Sequence, residues 1–261
     1  MDTNDTFELG RMGAQGIIPA SRAYAATVTI PEIAAGYIFG GLTPETTACD
    51  LWILSIDQVM SYIEDNQKNP MYNFWTKRDI KESDQSSLCR YGHSATLYNL
   101  NEVLIYGGLD MNRKFAKTPL SYNIDKGYVT ILDESGDIPF QRIKSGMLAA
   151  GNGMVIMYGG KDLSSEGYFV DVWHLKINND KIEYDKYEYD NEDDRKYMNW
   201  RKGFTMHYVR NIEDPIIIGG TYGNNQQSHA ILTLPERKCM SQADFIRGDC
   251  APCPKGSILS R

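Results

Sequence analysis

The sequence predicts an all-β protein assembled from a repeated sheet, and two observations carry that expectation. Four short apolar runs each stop on a glycine pair: YIFGG at 37–41, EVLIYGG at 102–108, VIMYGG at 155–160 and PIIIGG at 215–220. The same neighbours return around each pair, and a recurring unit has to be recognised before any single residue is interpreted. Val, Ile, Tyr and Phe fit a half-buried pleated surface, and a continuous apolar run such as 103–106 suits a strand covered on both faces. Paired glycines end such a run because glycine tolerates a positive φ and lets another backbone approach closely. The pairs Gly40-Gly41, Gly107-Gly108, Gly159-Gly160 and Gly219-Gly220 are expected to face a crowded centre.

The second glycines stand at 41, 108, 160 and 220, at intervals of 67, 52 and 60 residues. That is close to the spacing of propeller blades carrying loop insertions. The second unit is the fullest: RYGHSATL at 90–97, a polar turn at 99–101, the glycine pair, then LSYNI at 120–124. The first has PASRAYAA at 19–26 and DLWIL at 50–54; the third has RIKSG at 142–146 and DVWHL at 171–175; the fourth has WRKGF at 200–204 and SHAIL at 228–232. These motifs resemble the kelch family of β-propellers, in which each repeat forms a four-stranded blade. The likeness rests on the glycine pairs, on the basic residue opening each unit (Arg22, Arg90, Arg142, Arg201) and on the Asp-aromatic strand of the first and third units. Only the second unit keeps the Gly-His dipeptide, Gly92-His93, and the fourth lacks the Asp-Trp strand. Repetition makes the arginines structural, capping carbonyls or pairing with acids between blades.

The partition expected from this is a linker or closing strand at 1–16, kelch repeats over 17–235 and the start of a cysteine-rich region at 236–261. A chain of 261 residues with 42% hydrophobic content can bury a substantial core. Its net charge of −7 argues against nucleic acid, whose binders need a basic footprint. No apolar run approaches the length of a membrane span, and the acidic start lacks the basic and apolar regions of a signal peptide. The sequon at Asn4 matters only in a secretory setting.

Within the first unit, Ser55 to Gln58 reads as a capping box, with Ile56, Val59, Met60 and Ile63 on one helical face expected to pack on the blade. The second unit has a loop holding Arg113, Lys114 and Lys117, a basic island on an acidic protein. The fourth has a polar loop at 222–228 with Tyr222, Asn224 and Asn225. Such loops on one propeller face are where binding residues gather. Alternation over 182–189 predicts an exposed outer strand, with a bulge near Asp185 or Lys186. The acidic run at 190–194 lacks the spaced pattern of a calcium loop and reads as solvated.

Cys239, Cys250 and Cys253 cluster at the end of the chain, whereas Cys49 and Cys89 stand alone. The cluster resembles the opening of cysteine-rich repeats of growth-factor and ephrin-receptor type, and that resemblance implies disulfides. A zinc site would need His229 as a fourth ligand. His93, His174, His207 and His229 share no metal-ligand spacing, and no phosphate loop, nucleophile elbow or zinc-protease motif occurs. No metal or cofactor is expected. The leading expectation is a non-enzymatic protein-binding or structural module of a larger extracellular or cell-surface protein, using face loops for contacts. An intracellular (cytoplasmic) kelch adaptor and a copper-dependent oxidase on a kelch propeller are the alternatives. A propeller ring typically has four to eight blades, so the four units were expected to be an arc completed by further blades of this or another chain.

Overall fold

The computed structural model describes residues 17–65, 72–163, 167–187, 201–207, 215–222, 225–226 and 229–231, without the side chains of 82–84 and of those after 221. The fold is an all-β propeller arrangement of four antiparallel blades. The first is β1 (Ala26–Ile30), β2 (Ala35–Phe39), β3 (Leu51–Ser55) and β4 (Trp75–Arg78), paired in that order. The second begins with β5 (Arg90–Tyr91), a short strand outside the main sheet, and continues with β6 (Ser94–Asn99) and β7 (Glu102–Tyr106). Strand β8 (Leu109–Asp110) returns to pair with β5, and β9 (Leu120–Asn123) and β10 (Tyr128–Ile131) complete the sheet β6-β7-β9-β10.

The chain then crosses over. Strand β11 (Asp133–Gly136) lies parallel to β15 (Lys181–Lys186), at the edge of the third blade formed by β12 (Gly146–Gly151), β13 (Met154–Tyr158), β14 (Val172–Asn178) and β15. This corrects the expectation of an exposed outer strand. With β11 alongside, Ile182 and Tyr184 are buried, and β15 pairs with β14 without a break through Lys186. The register shifts fall instead in the inner hairpins, between Leu97 and Asn99 and between Ala149 and Gly151. In the fourth blade β16 (Lys202–His207) pairs with β17 (Ile216–Tyr222), and β17 pairs with β18 (Asn225–Gln226) and β19 (His229–Ile231).

Helix α1 (Ile56–Glu64) starts where the capping box predicts, the Ser55 hydroxyl accepting from the Gln58 backbone N–H at 3.3 Å. Its apolar stripe is not packed away as expected: no residue of α1 is buried, and Met60 and Ile63 are exposed. A second helix, α2 (Glu82–Leu88), leads into Arg90 and has no side-chain cap, which is why the sequence gives no start signal for it.

The core lies between blades. Side chains alternate across each central strand, so Val103 and Ile105 of β7 join Val28, Tyr37 and Phe39 of the first blade, while Leu104 and Tyr106 join Met147, Val155 and Met157 of the third. Likewise Ile156 and Tyr158 of β13 turn to Phe204, Met206 and Ile217 of the fourth. Burying one such side chain contributes about 1.5–3 kcal/mol.

Backbone hydrogen bonds join the blades in two series. The second glycine of the first three pairs donates to the next blade's opening arginine: Gly41 N–H to Arg90 C=O at 2.9 Å, Gly108 to Arg142 at 3.1 Å and Gly160 to Arg201 at 2.9 Å. Two residues after each arginine the chain turns left-handed, at Tyr24, Gly92, Lys144 and Gly203 (φ 57°, 66°, 57° and 65°). These turns are linked as well, Gly92 N–H to Tyr24 C=O at 2.8 Å, Lys144 to Gly92 at 2.7 Å and Gly203 to Lys144 at 2.9 Å. The glycine pairs therefore belong to the blade junctions and not to the centre, where we had expected them. A Cβ on Gly40 or Gly107 would lie 2.5 Å from the carbonyl oxygen of Arg90 or Arg142.

Replacing Gly107 with alanine should destabilise the protein by about 2–4 kcal/mol, combining left-handed strain with disruption of the Gly108–Arg142 bond. Gly203→Ala should cost only the strain, about 1–2 kcal/mol, because nothing lies within 4 Å of that Cβ. Equal losses in thermal or denaturant melts would refute the close-approach argument.

Candidate functional site: the channel and its mouth

The innermost strands β1, β6, β12 and β16 surround a cavity of about 580 Å³, toward which Thr27, Thr29, Ala95, Leu148, Thr205 and His207 contribute. None of the eight paired glycines lines it. Above it the left-handed turns form a recess of about 380 Å³, whose walls include Tyr24, Gly92, His93, Lys144, Lys202 and Thr221, with no carboxylate side chain among them. Lys144 Nζ lies 3.7 Å from the centre of the Tyr24 ring, and Lys202 and Lys161 approach the Tyr168 ring at 5.1 and 5.9 Å. Cation–π contacts of this kind hold a lysine while leaving its charge available.

What positions these side chains is the arginine before each turn. Arg22 donates from Nη1 to Gly40 C=O at 2.9 Å and to Asp50 at 2.5 Å, and Arg142 makes the same pair of contacts with Gly159 C=O at 3.0 Å and Asp171 at 2.6 Å. Burial by itself would raise the Asp50 and Asp171 carboxyls. Hydrogen bonds from the paired arginine and from Trp52 or Trp173, with the arginine's charge, outweigh it and hold both below the usual carboxylate range. Arg90 reaches the carbonyls of Ser87, Gly107 and Thr118 instead, and burial pushes its pKa down to about 10. Arg201 donates to Gly219 C=O at 3.1 Å.

The loops singled out by sequence leave their blades at the same end, just after the glycine pair. Arg113, Lys114 and Lys117 are exposed in the second blade, on a loop braced by Asp110, which accepts from the N–H groups of Asn112 and Lys114. Tyr222 ends β17 and Asn225 begins β18, while Asn224 lies outside the described residues. The third blade separates these two loops. Sequence reasoning missed Tyr24, Lys144, Lys161, Tyr168 and Lys202; the signal available for the first two was their fixed place two residues after an opening arginine.

Cys49 and Cys89 do not stand alone. Their sulfurs are 2.01 Å apart in a disulfide between residues 40 apart in sequence, joining the first blade to the approach of the second. Cys239, Cys250 and Cys253, and the acidic run at 190–194, lie outside the described residues. Among the described residues no three His, Cys, Asp or Glu side chains converge as a metal site would require, and no helix is long and apolar enough to cross a membrane.

Residues 1–220 match the KLHDC2/KLHL20/DRC7 Kelch-repeats domain family. No curated protein matches the chain. The family match stops short of the cysteine-rich tail, and nothing supports that tail's likeness to growth-factor or ephrin-receptor repeats.

His93, buried at the recess, is held neutral: desolvation, reinforced by the Arg90 charge, pushes its pKa down to about 3. An unfolded histidine titrates near 6.5, so below that pH the unfolded chain takes up a proton that the folded one refuses. Stability should fall as pH drops from about 6.5 toward 3, by at most about 1.4 kcal/mol per pH unit from this group. Chemical denaturation across that window should show a shallower dependence in His93→Gln than in the parent protein.

Proposed function

The chain belongs to the kelch-repeat family, a family of protein-interaction modules, and from that premise we propose that its partner is engaged at the channel mouth through an acidic segment. The observation that carries this reading is the recess itself. On a protein of net charge −7, the mouth collects Lys144 and Lys202 against tyrosine rings, with no carboxylate among the described residues of its walls. Complementary charge speeds encounter and selects partners. The left-handed turns leave the backbone at Gly92 and Gly203 without side chains, so an extended peptide has room to approach.

The protein acts by binding and not by catalysis in this reading. The copper-oxidase alternative finds no support in the side-chain positions, since Cys49 and Cys89 are joined to each other. An extracellular or cell-surface setting is favoured over an intracellular adaptor, because a disulfide tying two blades persists in an oxidising compartment.

A fluorescent glutamate-rich peptide should bind the full chain and lose at least tenfold in affinity on Lys144→Glu with Lys202→Glu, about 1.4 kcal/mol or more. Its glutamine counterpart should not bind, and the affinity should weaken with salt. Equal binding of both peptides would remove the acidic-segment reading. Separately, protein recovered from its native source under non-reducing conditions should show Cys49 and Cys89 blocked to alkylation; free thiols there would favour the intracellular alternative.

A further inference from the structure

Three junctions follow one rule, and the far side of the fourth blade has every element of that rule without a neighbour among the described residues. Gly219 and Gly220 adopt the same left-handed backbone as the earlier pairs, at φ 74° and 87°. Where a Cβ on Gly40, Gly107 or Gly159 would lie 2.5–2.9 Å from the next arginine's carbonyl oxygen, a Cβ on Gly219 would meet nothing within 4 Å. The residues one and three before the first glycine are buried in the other blades, as Tyr37, Phe39, Leu104, Tyr106, Ile156 and Tyr158. Their equivalents in the fourth are Ile216, part-exposed, and Ile218, 48% exposed.

The opposite end of the arc presents the complement. Among the described residues no glycine N–H reaches the Arg22 carbonyl, no left-handed turn's carbonyl accepts from the Tyr24 N–H, and Gly203 C=O accepts from no such N–H. Thr27 and Thr29 stand exposed on the side of β1 opposite Val28 and Ile30, with Ile38 and Leu54 part-exposed behind them. Strand β1 packs beside β6, β6 beside β12 and β12 beside β16, but β16 and β1 do not pack in that way. Among the described residues the four blades do not close into a ring.

We propose that the uncovered side of the fourth blade docks the first blade of a second copy of this chain. The occupant is set by continuity with the junctions already formed: the surface to be met needs an opening-arginine carbonyl, a left-handed N–H two residues later and a partly apolar strand face. The first blade of another copy carries all three. Gly220 N–H would meet Arg22 C=O of that copy, and Gly203 C=O its Tyr24 N–H. The contact is head-to-tail, so two arcs of four blades close into a ring only if the rotation allows it. Eight blades lie within the usual range of propellers. This surface borders the channel mouth at Tyr24 and Gly203, but its test reads association and leaves Lys144 and Lys202 untouched, so it stands or falls apart from the acidic-segment reading.

The test is the oligomeric state of the full chain by sedimentation velocity and light scattering, with and without two substitutions at exposed positions. The parent protein should be dimeric. Ile218→Asp and Thr27→Arg should each weaken association about tenfold or more, with unchanged thermal melts at a dilution where all forms are monomeric. Mixing the two variants should restore a dimer, because one intact pair of faces remains; a symmetric contact would not be restored. A parent protein that stays monomeric at high concentration overturns the proposal, and so does a dimer that survives both substitutions.

Discussion

The hydrogen bond from the second glycine of one blade to the arginine carbonyl of the next is the contact on which the rest of this structure depends. It is a backbone-to-backbone bond across a junction, so it forms only if the two chains approach more closely than a side chain allows. The 2.5 Å separation between a hypothetical Cβ at Gly107 and the Arg142 oxygen states that limit directly. The arginine is then used from both ends. Its carbonyl accepts from the preceding blade while its guanidinium bends back to the first glycine of its own, as Arg142 does with Gly108 N–H and Gly159 C=O. Apolar burial drives the blades together without direction; this staple fixes their register.

Burying four cations in such positions needs compensation, and the blades find it differently. Arg22 and Arg142 have carboxylates that are themselves held by the Trp52 and Trp173 indole N–H groups. Arg142 is wholly inaccessible and also stacks over Phe169 at 4.2 Å. Among the described residues Arg90 has only carbonyl oxygens at hydrogen-bond distance, because Thr118 and Pro119 stand where the first and third units begin the Asp-aromatic strand. Desolvation is therefore offset there by dipoles and not by an ion. The Asp-aromatic motif is one solution to the arginine's burial, which is why the blade without it still forms.

This explains what was legible in the sequence. Glycine pairs, opening arginines and the apolar runs are local signals repeated four times, and they disclosed the fold. The Ser55 cap, encoded within four residues, was equally visible. Contacts made across the chain were not. Nothing local relates Cys49 to Cys89, which meet only because the first blade's return loop lies against the approach to the second. The parallel strand β11 is likewise invisible from periodicity, since 133–136 earns its place by reaching over to β15 in another blade. Placing the glycine pairs at the centre was an error of the same kind: the pattern showed that a backbone must come close, but not which one.

The channel mouth was the least legible feature because its key positions carry different residues. Tyr24, Gly92, Lys144 and Gly203 share one backbone conformation and one place in the hydrogen-bond relay, yet two are glycines, one is a tyrosine and one a lysine. For a non-glycine residue that conformation costs about 1–2 kcal/mol, which the bonds on both sides of Lys144 can sustain. The backbone at these turns is thus fixed by its neighbours and not by residue type, and the side chain is free to vary without unfolding the blade. A position whose conformation is enforced from outside, and whose side chain opens onto the channel mouth, can change its side chain while the scaffold stays the same. Tyr24 and Lys144, held ring to ammonium across the second blade, are this chain's choice at two such positions.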